Sequence, residues 1–352
     1  MAFTEADRKR MGTPHPELTD AVEKFPLPDT TNGNVNASVH DIRQNRAAHL
    51  ASLRHLYPMP GPIPDEVQEF LHHIPARDGF EIPVKIYIPT KPLESGKGRP
   101  LVVMFHEGGW TRGDLTDEDL NCRMFARDLG AVCVNVDYRL APEYLFPYGV
   151  NDAFDAVKWC AKTASASSEL LPADPRQGFI VGGASAGGNF AAVMCQMARD
   201  DGLDPPLTGQ YLCVPALLDE HVVPERLKSD YRSRTESVYD PVIKIEPGRG
   251  KRKLEQLKVD PADPRFSPAL HPNLKDLPPA FFQIAGLDPL RDEALIYERL
   301  LREENDAATK LMVYDGFGHM FWTNWPQLKR SKEFVDDTLT GVKWLLDEER
   351  KR

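Results

Sequence analysis

The chain predicts an α/β fold, with an eight-stranded, mostly parallel sheet, helices on both faces and a cap. Three observations carry this expectation. Short, near-continuous apolar runs alternate with helical-looking stretches, as strands buried on both faces require. Two alternating stretches precede them, separated by an Asp78-Gly79 turn. A strand, a tight glycine-rich turn and a helix follow each other at Phe179 to Met194, with a serine at the apex.

Residues 1 to about 65 are polar and proline-rich, with one helix expected from Ser38 to Leu56, where Ile42, Ala47, Leu50, Leu53 and Leu56 fall near helical spacing. The run Pro58 to Pro64 ends it as a stiff linker. Glu69–Ile74 and Glu81–Ile88 read as a hairpin-like pair. Parallel strands are expected at Leu101–Phe105, Ala131–Val136, Gly178–Gly182, Gln210–Val214, Ala280–Ala285 and Lys310–Tyr314. Helices are expected at 117–129, 149–164, 186–200, 290–304 and 330–348. The stretch from Leu218 to Pro268 is too long for a connecting loop and reads as a cap insertion. The expected division is therefore 1–65 as N-terminal cap segment and linker, 66–217 as the first part of the core, 218–268 as cap, and 269–352 as the second part of the core.

Composition narrows the function. The 352 residues carry a net charge of -10, and the basic blocks Lys251-Arg252-Lys253 and Arg350-Lys351-Arg352 are too short for a nucleic-acid surface. No run reaches the length of a membrane span, and the charged N-terminus lacks the apolar core of a secretory signal. Five cysteines, scattered singly, suit buried thiols in a reducing compartment, and the expected location is the cytoplasm. On that expectation Asn36-Ala37-Ser38 is a coincidental match to a glycosylation acceptor. His106-Glu107 begins like a zinc motif, but position 110 is Trp. The histidines outside any motif read as surface or loop residues.

The chemistry centres on Gly183-Ala184-Ser185-Ala186-Gly187. G-x-S-x-G between strand and helix exposes a serine hydroxyl at a helix N-terminus, where free N–H groups meet developing negative charge. Side chains at Gly183 or Gly187 would collide with backbone. His106-Glu107-Gly108-Gly109-Trp110 follows a strand, so the N–H groups of Gly108 and Gly109 can join that of Ala186 in an oxyanion hole. Asp288 and His319 each follow a strand and project from the same sheet edge as Ser185. Ser185, Asp288 and His319 thus form a candidate triad, in the chain order Ser, Asp, His. Asp137 to Glu143 reads as a loop-pinning segment, and His106 as a loop brace. Met320, Phe321 and Trp322, with Trp325, read either as core under the last helix or as part of the substrate pocket. Together with Trp110, the first three are the candidate pocket residues.

These stretches together resemble the hormone-sensitive-lipase-like branch of the α/β hydrolases, from about residue 80 to 345. The resemblance implies a capped active site and ester hydrolysis through an acyl-enzyme, with no metal or organic cofactor and a small-molecule ester as the partner. Two departures stand out. Glu107 replaces a glycine of the usual His-Gly-Gly-Gly, and must point away or pair with a cation such as Arg112 or Arg139. Ala184 replaces the usual Asp before the nucleophile. The expected activity is hydrolysis of a small or medium, mostly apolar carboxylic ester. Acyl transfer, lactonisation or amide hydrolysis uses the same acyl-enzyme. A non-catalytic small-molecule receptor is the remaining reading, although the receptors of this branch lack the histidine that His319 supplies. The oligomeric state is open, a homodimer included.

Overall fold

In a computed structural model, the described residues are 4–29, 38–92, 98–166 and 169–349. Asn36 of the acceptor sequence and the basic Arg350-Lys351-Arg352 lie outside them. The strands are β1 (Val67–Pro75), β2 (Glu81–Pro89), β3 (Leu101–Phe105), β4 (Val132–Val136), β5 (Phe179–Ala184), β6 (Gly209–Cys213), β7 (Ala280–Ala285) and β8 (Thr309–Tyr314). They form one sheet in the order β1-β2-β4-β3-β5-β6-β7-β8. β1 and β2 pair antiparallel around the Asp78-Gly79 turn, and β2 runs antiparallel to β4. From β4 to β8 every pairing is parallel.

The helices are α1 (Glu5–Met11), α2 (Pro16–Lys24), α3 (Val39–Leu53), α4 (Asp119–Leu129), α5 (Tyr148–Ser165), α6 (Ala186–Asp201), α7 (Ser233–Glu236), α8 (Arg249–Leu257), α9 (Arg291–Arg299), α10 (Phe321–Asn324) and α11 (Lys329–Glu349). Strand alternation sorts the apolar residues onto two faces. Leu101, Val103 and Phe105 face one core with Val157 of α5, Phe190 of α6 and Tyr297 of α9. Val102 and Met104 face the other, with Phe125 of α4 and Leu345 of α11. Every residue of β3 to β7 is buried, which is why these strands read as near-continuous apolar runs, interrupted only by the buried Asn135, Gln210 and Gln283. Edge strand β8 is half-buried except at Tyr314.

Three elements differ from the sequence expectation: α1, α2 and the end of the helix after β7. The sequence predicts a single helix before residue 65, whereas α1 and α2 precede α3. α1 is mostly charged and has no apolar stripe for periodicity to detect. Its stability comes from a Thr4–Asp7 capping box and from Arg8–Asp292 and Arg10–Asp315 ion pairs with the distant C-terminal half. α2 begins at Pro16, the first-turn position where a missing N–H costs nothing. The helix expected over 290–304 is α9 followed by a π-helical segment, Leu300–Glu304.

Candidate active site

The turn between β5 and α6 is built by close approach. A Cβ on Gly187 would lie 1.9 Å from the carbonyl oxygen of Phe105, and one on Gly183 2.2 Å from the same atom. Only glycine fits at either position. Ser185 between them has φ 55° and ψ -111°, a conformation an L-residue adopts only under constraint. Its N–H donates to the Cys213 carbonyl at 2.8 Å, tying the apex to β6.

Asp288 follows β7 and His319 follows β8, so the parallel sheet delivers all three side chains to one edge. His319 Nε2 lies 3.1 Å from Ser185 Oγ, and His319 Nδ1 lies 2.7 Å from Asp288 Oδ2. The partners set the tautomer: a carboxylate can only accept, so Nδ1 carries the proton and Nε2 faces the hydroxyl. All three residues are buried. Burial opposes the charged form of His319, but Asp288, Asp240 and Glu107 outweigh it and the imidazole pKa is raised.

Asp240 belongs to no motif, and sequence reasoning missed it. Its Oδ2 accepts the backbone N–H of His319 at 2.6 Å, and its Oδ1 accepts those of Val242 and Ile243. One carboxylate therefore fastens the 218–268 segment to the histidine turn. Burial and Asp288 push its pKa up to about 6. An aspartate in an insertion carries no signal of such a role in a single sequence.

The loop after β3 turns with φ 123° at Gly108 and 62° at Gly109. Among the described residues, the N–H groups of Gly108, Gly109 and Ala186 have no protein acceptor. His106 is fully buried, stacks on Tyr138 with centroids 4.1 Å apart, and its Nδ1 lies 2.8 Å from the Glu107 carbonyl oxygen. Tyr138 donates to the His106 carbonyl, and Arg139 is held by Asp152 and Asp78. Arg139 is thereby unavailable to Glu107. The cation on Glu107 is Arg46 of α3 at 2.6 Å, in place of the Arg112 or Arg139 expected from the sequence.

Ser185 opens into a cavity of about 840 Å³, its open mouth included. Trp110, Leu218, Phe266 and Leu290 give it apolar wall, while Arg234, Arg249, Lys253 and Glu293 give it charge. Trp110 is the one sequence-predicted pocket residue found there. Met320, Phe321 and Trp322 do not line it. They pack into the core beneath α11, where Trp322 stacks on Phe334 at 3.8 Å, so the pocket expectation for these three is corrected. Chain adjacency to His319 misleads because Met320 adopts φ 53° and the following turn, α10, leads into the core. Among the described residues no three His, Cys, Asp or Glu side chains are grouped to hold a metal ion, and no helix is long and apolar enough to cross a membrane.

A mostly parallel sheet carrying a serine at a strand-to-helix elbow, with an imidazole and a carboxylate in line behind it, defines a class of α/β proteins. The chain belongs to the α/β-hydrolase family, in its hormone-sensitive-lipase-like branch: the family model described as alpha/beta hydrolase fold matches residues 102–323. It is similar to an AB hydrolase superfamily protein of Schizosaccharomyces pombe, 37% identical over 100% of this chain and 99% of that protein. A versiconal hemiacetal acetate esterase of Dothistroma septosporum is 34% identical over 72% of this chain and 76% of its own length. Among solved structures, a vibralactone cyclase superposes with a TM-score of 0.89 at 31% identity, covering 99% of this chain and 98% of that one.

Proposed function

We propose that this carboxylic-ester hydrolase attacks its substrate with Ser185, activated by His319 and Asp288. The carrying observation is the relay from Asp288 Oδ2 through His319 to Ser185 Oγ, with both contacts at hydrogen-bonding distance. Nε2 takes the hydroxyl proton as Oγ bonds to the ester carbonyl carbon. The oxyanion is received by the N–H groups of Gly108, Gly109 and Ala186. Asp288 stabilises the imidazolium, which then protonates the departing alcohol. Water repeats the sequence on the acyl-enzyme and releases the acid. In this reading 218–268 and the N-terminal helices act as the cap over a core formed by 66–217 and 269–352. Five free, buried cysteines support a reducing, cytoplasmic setting.

The test is labelling by a fluorophosphonate, wild type against Ser185→Ala, with turnover of p-nitrophenyl esters of increasing chain length. Labelling that requires Ser185, and loss of turnover by about 10⁴-fold or more in Ser185→Ala and His319→Ala at unchanged folding, is expected. Appreciable turnover in either folded variant would refute the assignment.

Likeness to the cyclase over nearly the whole chain favours one second reading, in which an internal hydroxyl of the substrate replaces water as acyl acceptor. Labelling at Ser185 with negligible turnover of simple esters would favour it.

A further inference from the structure

The cavity at Ser185 is charged, and its charges are not evenly spent. Glu293 is satisfied by Arg234 at 2.8 Å and by the N–H groups of Leu217 and Leu218. Asp219 is engaged by His221 and Glu246 by Arg252. Besides the exposed Lys244, Lys253 differs from these. Its Nζ lies 4.4 Å from the centroid of the Trp110 ring, and a Cβ on Gly109 would be 3.2 Å from it. Among the described residues this ammonium has neither a hydrogen bond nor an ion pair, and the same holds for the Arg112 guanidinium. The half-buried ammonium thus stands directly over the loop expected to receive the oxyanion, in the cavity that Ser185 enters.

We propose that the substrate is an ester bearing a carboxylate, which the cavity binds at Lys253 with Arg249 and Arg112 nearby, while the uncharged part lies against Trp110 and Phe266. The proposal rests on the serine-ester reading above and names its substrate class. Trp110 and Phe266 also wall a second, smaller cavity with Phe146, Phe190 and Leu257, which gives an apolar arm somewhere to go. Charge supports the same conclusion. Burial, then Arg234, Arg249 and Arg112, push the Lys253 pKa down to about 7, with Glu293 opposing. Three guanidinium groups therefore act on Nζ with like charge before a ligand arrives, and Glu293 acts against them. An anion there relieves repulsion and gains a charge-assisted hydrogen bond in a partly desolvated site. Glu220 at the exposed rim, a carboxylate with no ion pair among the described residues, works against it.

The test reads binding apart from catalysis, using Ser185→Ala protein and calorimetric titration with two matched ester pairs. One pair charges the alcohol arm, 4-carboxyphenyl butyrate against 4-carbamoylphenyl butyrate. The other charges the acyl arm, phenyl hydrogen adipate against phenyl adipamate. At pH 6, where Lys253 is protonated and both acids are ionised, the carboxylate of at least one pair is expected to bind about tenfold tighter or better. The preference should shrink toward pH 9, as Lys253 loses its proton and Glu293, whose pKa burial raises to about 7, gains its charge; it should collapse in Lys253→Met and grow in Glu220→Gln. Equal affinity within both pairs, or a preference that survives Lys253→Met, overturns the proposal. Failure of wild-type enzyme to turn over any of these esters would count against the serine-ester reading instead, and leaves the binding comparison to be read.

Discussion

Arg46 and Glu107 stand 61 positions apart in the chain, and their side chains meet at 2.6 Å. The contact joins α3 to the loop after β3, and Arg46 reaches Asp117 at 3.0 Å as well. It explains how a carboxylate is tolerated where the family's usual motif has a glycine. Burial and Asp117 push the Glu107 pKa up to about 7, while Arg46 opposes that shift.

Replacing Arg46 with Met should therefore leave two buried carboxylates without their cation. A loss of about 2–4 kcal/mol in urea unfolding is expected. Adding Glu107→Gln to that variant should return part of the loss, because the neutral amide needs no counter-ion. A double variant no more stable than Arg46→Met would show that Glu107 is not the reason.

Asp240 should be visible in the pH profile. His319 must be neutral to take a proton, so kcat/KM falls as pH drops through its raised pKa, on the acid side. Asp240, ionised above about pH 6, is one of the charges that raise it. Asp240→Asn removes the charge, and the acid limb is expected to move to lower pH. The maximum rate should also fall, since an amide nitrogen must now face one of the N–H groups the carboxylate accepted. An unmoved limb would assign Asp240 a purely structural part.

Glu118 predicts a pH-dependent stability. It is buried and accepts from the Asn121 amide at 2.7 Å; burial first, then Glu107, push its pKa up from 4.5 to about 8, against hydrogen bonds from Asn121 and the Ala184 backbone. A carboxyl with a higher pKa in the folded chain binds more protons when folded. Its contribution is complete below about pH 4.5 and is lost as pH rises through about 8. Glu118→Gln should abolish this decline. Relative to wild type, the variant is expected to gain about 1–3 kcal/mol between pH 5 and pH 8 in paired urea titrations. A constant difference across that range would contradict the prediction.

The two aromatic groups near the site should separate by readout. Phe321→Leu removes core contacts and should cost about 1–2 kcal/mol of stability while the chain-length preference among p-nitrophenyl esters stays as in wild type. Trp110→Ala opens the cavity wall and should shift that preference toward longer esters. If Phe321→Leu moves the preference and Trp110→Ala does not, the placement of the two groups is wrong.

Much of this protein was legible from local pattern. Apolar runs and alternation located all eight strands because burial on one or both faces imposes a period on the residues themselves. Gly183, Gly187 and Ser185 could be read as an elbow because the steric demand is contained in five consecutive residues. Asp288 and His319 could be placed beside Ser185 because parallel strands bring their C-terminal ends to one edge. The tertiary structure alone decided what depends on contacts between distant segments. α1 is held by ion pairs to residues near the other end of the chain, so its own sequence carries no apolar stripe. Arg46, rather than Arg112 or Arg139, neutralises Glu107. Asp240 reaches the His319 turn from an insertion. Met320, Phe321 and Trp322 turn into the core, whereas Lys253 comes over Gly109 from a helix 144 positions further along. Local sequence specifies periodicity and steric fit, whereas charge pairing and pocket lining depend on which surfaces the finished fold brings together.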